Sequence, residues 1–366
     1  MSTKIFVMTH KKFDPPIDPV FVPLHVGRAL GNDLGYTGDD TGDNISDLNP
    51  FYGELTGVYW VWNNYRESEN VGLCHYRRFF TDGKGGLLKE ADFERILKDY
   101  DVITSIAVNE GMKYYDYFGS AHNAKDLDLE RGVIERISPG YLPAFDEAMA
   151  STTHYFGNLM VCSKERFDDY ANWLFTIFSE LSGELDLSGY DEYHRRIFGF
   201  LSEQLLKAWI IKNRYKPYEC PVGITDEKAE TKELKAAVST LLSKEDASGA
   251  RKLFNEILRV RPDVRLPHSD LKGEIPVMEL LLYICELEQQ NGIEGMLSYS
   301  TRLQDLTEHT RKLSELLKNI DKLNEDDRRY IRETKVSEYA VRVLCRNIPD
   351  LIGKDERILS AYKKIQ

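Results

Sequence analysis

The stretch VGLCHYRRFF, residues 71–80, decides how the first half of the chain is read. Val71 to Cys74 is apolar without a polar alternate, the pattern of a buried strand. The run then stops at His75-Tyr76-Arg77-Arg78. A buried strand that ends in donors places them at the edge of a sheet, where α/β proteins bind ligands. Three other runs read as strands: KIFVMTH (4–10), YDVITSI (100–106) and FGNLMVC (156–162). The first ends in Thr9-His10-Lys11, again polar. Helical patterns lie between them. Residues 50–65 form one, with Asn49 as N-cap, Pro50 at the first helical position, and Leu55, Val58, Tyr59 and Trp62 on one face. Residues 91–99 and 165–181 form two more. Strands alternating with helices predict an α/β sheet.

The remaining sequence sets limits. The chain has 366 residues, 42% of them hydrophobic, which is long enough for two domains. A net charge of −12 argues against nucleic acid, whose phosphates need a basic face. Cys74, Cys162, Cys220, Cys285 and Cys345 are scattered, with no C-x-x-C pair. That spacing argues against structural zinc or a disulfide framework and predicts a reducing cytoplasm. MSTKIFVMTHKKF lacks the apolar run of a signal peptide, and no segment approaches ~20 apolar residues. The expectation is a soluble protein, or at most one lying on a membrane surface. After Pro221 aromatics thin out, and Lys, Glu and Leu recur at helical period. Residues 1–224 and 225–366 are therefore read as separate domains, the second all helical, either a bundle or repeat-like. Its segment ASGARKLFNEILRVRPD (247–263) has the small residues and Pro ending of a tetratricopeptide-like helix.

Three clusters carry candidate chemistry. The loop GYTGDDTGDNISDLNP (35–50) concentrates Asp39, Asp40 and Asp43. Counted from Asp39, a calcium-hand loop needs Gly sixth and Glu twelfth, and Asn44 and Pro50 stand there instead. A solvated turn, with Gly38 and Gly42 at positive φ, is one reading. Asn44, Ser46, Asn49 and a following helix start favour a polar ligand. Carboxylates there would repel a bare diphosphate but suit ribose or sugar hydroxyls, or a bridging cation. Arg77 and Arg78 suit the two charges of a diphosphate, as planar guanidinium forks do, or pair with surface acids. In YDEYHRRIFGFLSEQLL (190–206), Arg196, Gly199 and Glu203 share a face. Glu203 is a candidate general base, or an ion-pair partner of Arg196. His122 and Asp126, four apart, could ligate a metal, although one pair is weak evidence.

Seven blocks in order, THKKF, LHVGRAL, the 35–64 loop and helix, VGLCHYRRFF, YFGSAHNAKDLD, FGNLMVCSKERFDDYANWLF and RRIFGFLSEQLL, resemble a bacterial domain of capsular and exopolysaccharide biosynthesis proteins, formerly uncharacterised. Members are regarded as glycosyltransferases, and one branch transfers galactofuranosyl units. The resemblance covers about residues 4–222. It implies a nucleotide-sugar-binding domain like the single-domain α/β class of glycosyltransferases (GT-A-like), with a mixed sheet, followed by the all-α domain. It implies transfer from a UDP-sugar to a glycan or lipid-linked acceptor, by inversion. On this reading Thr9, His10, Lys11, Val26, Gly27, Asp39, Asp40, Asn44, Asn49, His75, Arg77 and Arg78 contact the donor. Glu203 is the base, with Asp191 and Asp126 as substitutes, and His122, Asn158 and Arg196 contact substrate. The usual Asp-x-Asp metal motif is replaced by His75-Tyr76-Arg77-Arg78, which implies no required metal; manganese or magnesium stays open. Cytoplasmic localisation, in solution or at the inner face of the membrane, and a partner chain for the helical tail, complete the expectations. The alternative is a non-catalytic nucleotide-sugar or glycan binding module in an assembly complex.

Overall fold

The computed structural model describes residues 2–265 and 269–365, apart from the side chains of Pro262 and Asp263, which close the tetratricopeptide-like motif. The chain divides into two compact units, Met1–Thr225 and Asp226–Gln366.

The first unit is built on β1 (Thr3–Thr9), β2 (Phe21–His25), β3 (Thr37–Gly38), β4 (Asn70–His75), β5 (Arg78–Phe80), β6 (Val102–Ser105), β7 (Val108–Asn109), β8 (Thr153–His154), β9 (Met160–Ser163), β10 (Pro217–Cys220) and β11 (Val222–Ile224). The main sheet runs β10-β6-β9-β4-β1-β2-β3. β1 is parallel to β2 and β4, and β10 to β6; β9 runs antiparallel between β4 and β6. The result is a mixed α/β sheet. Ile5, Val7, Val71, Cys74, Ile103 and Val161 are fully buried within it, so these apolar runs are strands covered on both faces. After β4 the chain turns at Tyr76-Arg77 and returns as β5, with His75 opposite Arg78. β7 and β8 form a separate two-stranded ribbon.

The helices are α1 (Asn49–Tyr52), α2 (Leu55–Asn64), α3 (Glu90–Ile96), α4 (Tyr114–Ala121), α5 (Ala124–Ile137), α6 (Leu142–Ala150), α7 (Lys164–Leu181) and α8 (Ile197–Asn213). The single helix expected over 50–65 is two. Gly53 adopts φ 56 and ψ −129, which no helix can continue through. Asn49 is a helical residue and not the cap; its amide donates to the Gly53 carbonyl (2.7 Å) and to Thr56 Oγ1 (3.2 Å), so it bridges the break. A Cβ on Gly53 would lie 3.1 Å from the Arg196 guanidinium, so close approach also calls for glycine there. Of the two turn glycines expected in the acidic loop, Gly42 has positive φ and Gly38 pairs in β3.

The second unit is helical: α9 (Ala229–Leu242), α10 (Ala247–Val260), α11 (Ile275–Gln290), α12 (Met296–Tyr299), α13 (Leu303–Lys318), α14 (Glu325–Glu333), α15 (Glu338–Asn347) and α16 (Asp355–Lys363). Helix α10 packs on α9 and α11, and α11 on α13 and α15. Phe254, Leu282, Leu313 and Leu344 anchor its own core. Among the described residues, three potential metal-ligating side chains converge only at Glu227, Asp270 and Glu274 in this unit. The Lys235 ammonium sits among them, 2.8 Å from Glu227 and 3.3 Å from Asp270. No helix among the described residues is long and apolar enough to cross a membrane.

Candidate active site

The carboxyl ends of β1, β2, β4 and β6 share one edge of the sheet. Here the segment entering β9 crosses the start of α8. Gly157 (φ 76) and Asn158 (φ 54) take the left-handed conformation in succession, which for asparagine marks a local constraint. This turn holds two carboxylates. The Gly157 N–H donates to Glu203 Oε1 at 3.2 Å, and Asn158 Nδ2 donates to Glu54 Oε1 at 2.9 Å. The Asn158 amide also donates to Ser202 Oγ (2.8 Å), whose hydroxyl donates to the Gly199 carbonyl. Asn158 is buried, and its orientation is fixed from three sides.

The two carboxylates are driven apart electrostatically. Burial pushes Glu203 up to about 8, reinforced by the negative charge of Glu54 and only partly opposed by Arg78 and the Gly157 N–H. Burial acts on Glu54 in the same sense. Its interaction with the His75 imidazole, the positive charge of Arg196 and the Asn158 hydrogen bond outweigh it and hold Glu54 below its usual range. Arg196 Nη2 lies 3.8 Å from Glu54 Oε2. The Arg196–Glu203 ion pair allowed by the sequence is therefore not what forms, because Gly53 opens the α1–α2 junction and brings Glu54 to Arg196. Two carboxyls with opposite shifts are a common arrangement for dividing acid and base roles.

Arg78 completes this group. Its guanidinium lies 4.7 Å from the centroid of the Phe156 ring, and its Nε is buried without a hydrogen-bond partner. Burial, then repulsion from Arg77, lowers it to about 10, so it stays a cation at neutral pH. An incompletely satisfied buried guanidinium is suited to an incoming anion. Arg77 is buried, and its carbonyl accepts the Thr225 N–H. His75 Nε2 bonds the Gly157 carbonyl at 2.7 Å, and burial lowers it to about 4, which keeps it neutral. Beside these groups, Tyr76 meets His10 edge-on at 5.6 Å and Phe13 at 6.1 Å, and Phe13 meets Tyr36.

The other expected site residues are placed differently. Asp39 is fully buried and accepts from the N–H groups of Gly27 (2.9 Å) and Arg28 (3.2 Å) and from the Ser46 hydroxyl. It ties the turn after β2 to the acidic loop. A Cβ on Gly27 (φ 69) would lie 2.6 Å from the Asn49 side chain, Val26 is buried beside it, and Asp40 lies 3.6 Å from Arg28. Asn44 bonds the Gly42 carbonyl and the Ser46 N–H. The Thr9 hydroxyl is taken up by the backbone of Lys11, which is half-buried. Asp126 and Asp191 are not held with Glu203 on the Gly157–Asn158 turn. They line a cavity of about 90 Å³ with His122, Tyr190 and His194. Asp126 accepts from Tyr190 (2.7 Å) and Asp191 binds His194 (2.8 Å), so these acids staple the loop before α8. His122 stacks on Phe200 at 4.1 Å, and burial lowers it to about 4. Sequence reasoning missed Glu54, Ser202 and Phe156. The one local signal for Glu54 is the Gly53 that precedes it inside a helical pattern.

No curated protein sequence matches the chain. A solved structure, the WbbM bifunctional glycosyltransferase in its apo form, is similar, with a TM-score of 0.59 and 29% identity. The match covers 62% of this chain and 46% of that one, so this chain spans under half of that protein's length. Residues 4–214 match the family described as "Domain of unknown function (DUF4422)". That match takes in the sheet except β10 and β11, the Gly157–Asn158 turn and both carboxylates, and the chain belongs to this family.

Proposed function

We propose that the first unit is a glycosyltransferase that moves a sugar from a nucleotide diphosphate, UDP in the simplest case, to an acceptor hydroxyl with inversion. The observation that carries this reading is Arg78 and the split pair Glu54–Glu203 gathered at the carboxyl edge of the sheet. The similarity to WbbM supports the reaction class. Arg78, with Arg77 beside it in the turn, stabilises charge developing on the leaving diphosphate. Glu203, when ionised, takes the proton from the acceptor oxygen as that oxygen attacks the anomeric carbon. Glu54 stays anionic, fixes Arg196 and Asn158, and raises the basicity of Glu203. The inclined rings of Phe13, Tyr36 and Tyr76 offer an aromatic face to the nucleobase. No step here runs through a metal ion. Galactofuranose as the sugar, and a surface-polysaccharide acceptor, are the specific forms carried by the sequence resemblance.

Incubation with a panel of UDP-sugars, with UDP release followed by chromatography, tests this. We expect slow release from one donor by the native chain, and loss of release with retained UDP binding in Glu203→Gln. Binding of UDP with no release from any donor would favour the non-catalytic module.

A further inference from the structure

A row of aromatic side chains leads to Glu203 from the β7–β8 ribbon. Helix α4 starts on that ribbon: the Tyr114 N–H donates to the Ser151 carbonyl (2.8 Å) and the Glu110 N–H to the Thr152 carbonyl (3.1 Å). The anchoring lays Tyr117 on His154, with ring centroids 5.1 Å apart and planes 29° from parallel. Phe156 follows, its centroid 6.3 Å from that of His154. The same segment is pinned along α8. The Lys207 ammonium donates to Ser151 Oγ and Thr153 Oγ1, each at 2.7 Å, and one turn earlier Glu203 accepts the Gly157 N–H. Tyr117, His154 and Phe156 thus form a row that ends beside Glu203.

The members of the row offer different things. His154 is buried, and burial lowers it to about 4, so it is a neutral support under Tyr117. Tyr117 is half-buried, which leaves part of its ring open. Its hydroxyl makes no hydrogen bond among the described residues. Burial, then the charges of Glu110 and Glu203, push Tyr117 up to about 12, so the phenol is a donor standing near two carboxylates. Glu110 is half-buried and forms no ion pair among the described residues. The nearest cations are engaged elsewhere: Lys207 by the ribbon and Arg78 by the Phe156 ring.

We propose that this row is the acceptor subsite, and that it takes the uncharged terminal sugar of a glycan. The C–H face of the sugar ring stacks on Tyr117. Two neighbouring hydroxyls meet the Glu110 carboxylate and the Tyr117 phenol, and the attacking hydroxyl reaches Glu203. An aromatic ring supplies apolar area with a polar tip, and a carboxylate accepts from two hydroxyls at once. A sugar acid would bring its carboxylate against Glu110, which selects against it. The role as acceptor rests on the transfer reaction proposed above; the binding of a sugar at Tyr117 does not.

Saturation-transfer NMR of the full chain with UDP and a panel of methyl hexosides tests it, with methyl glucuronide as the charged probe. We expect ring-proton signals from at least one hexoside and none from the glucuronide. Tyr117→Leu keeps the bulk without the flat face and should weaken that hexoside about tenfold. Glu110→Gln should weaken it about fivefold and admit the glucuronide, a gain that a merely structural carboxylate would not give. Tyr115 is on the same helix, but its hydroxyl binds Asp128, so Tyr115→Phe should bind as the native chain does. Circular dichroism checks that each variant folds. If Tyr117→Leu does not, Tyr117→Phe, which removes only the hydroxyl, takes its place and should weaken binding about threefold. A native chain that binds no hexoside, an equal loss in Tyr115→Phe, or undiminished binding in the Tyr117 and Glu110 variants overturns the proposal. UDP release from a donor that no bound hexoside accelerates removes the subsite and leaves the transfer reading. Hexoside binding that depends on Tyr117, with no UDP release from any donor, removes the transfer reading and leaves a sugar-binding surface.

Discussion

Asp39 and Glu203 are both acids near the same sheet edge, yet their surroundings are opposite. Asp39 is fully buried and meets three donors, from Gly27, Arg28 and Ser46. Glu203 has one backbone donor and faces a second carboxylate. The first arrangement satisfies a charge and fixes a turn. The second leaves a carboxyl poised between protonation states, which is what proton transfer at neutral pH requires. Density of acidic residues in a sequence therefore does not by itself mark a reactive acid; the informative quantity is how many donors the fold supplies to each acid.

Substitutions can break this contrast, taken here from the largest expected effect to the smallest. Asp39→Ala should cost about 3 kcal/mol or more, since it strands buried donors at about 1–3 kcal/mol each. Urea unfolding of the first unit measures it. A small stability change with loss of UDP binding would instead make the acidic loop a ligand loop. Glu203→Gln should reduce turnover about a hundredfold, near 2.7 kcal/mol, with UDP affinity unchanged by titration calorimetry. Arg78→Lys should weaken UDP about tenfold, about 1.4 kcal/mol, because the planar fork over Phe156 is lost. The smallest effect is on pH. Turnover should rise with pH and level off above about 8 as Glu203 ionises. Glu54→Gln removes the opposing charge and should move that midpoint down by up to about one unit. Stability runs the other way. A carboxyl raised in the folded state contributes stability that is complete below its unfolded value and is lost as pH rises through about 8. The first unit should therefore unfold at lower urea in the range where turnover is highest.

Much of this fold was legible because burial repeats along the sequence. The apolar runs ending at Thr9 and His75 are strands that stop where their composition changes. Helix α7 begins after Ser163, whose hydroxyl accepts the Arg166 N–H, as its sequence signals. Arg78 and Glu203 reach the carboxyl edge of the sheet because each lies on an element with a clear pattern. What was not legible depends on partners far along the chain. Glu54 meets Asn158, 104 residues away, and the Gly53 break that presents it looks from sequence like one weak position in a helix. Asp39 reads as a ligand because its donors belong to a turn whose approach only the β2–β3 pairing creates. Asp126 and Asp191 read as spare bases because nothing local shows that Tyr190 and His194 engage them.

The five cysteines, scattered in sequence, are all buried and free. Cys74, Cys162 and Cys220 lie in the first unit, Cys285 and Cys345 in the second. Burial raises each thiol, Cys220 and Cys345 to about 11, so the native chain is nearly inert to thiol reagents. Modification must wait for an opening event, and where reclosing outpaces labelling its rate reports the equilibrium population of the open form. The two units thus carry separate, built-in clocks. Mass spectrometry of labelled peptides would time the sheet and the helices independently in one sample, without any introduced probe.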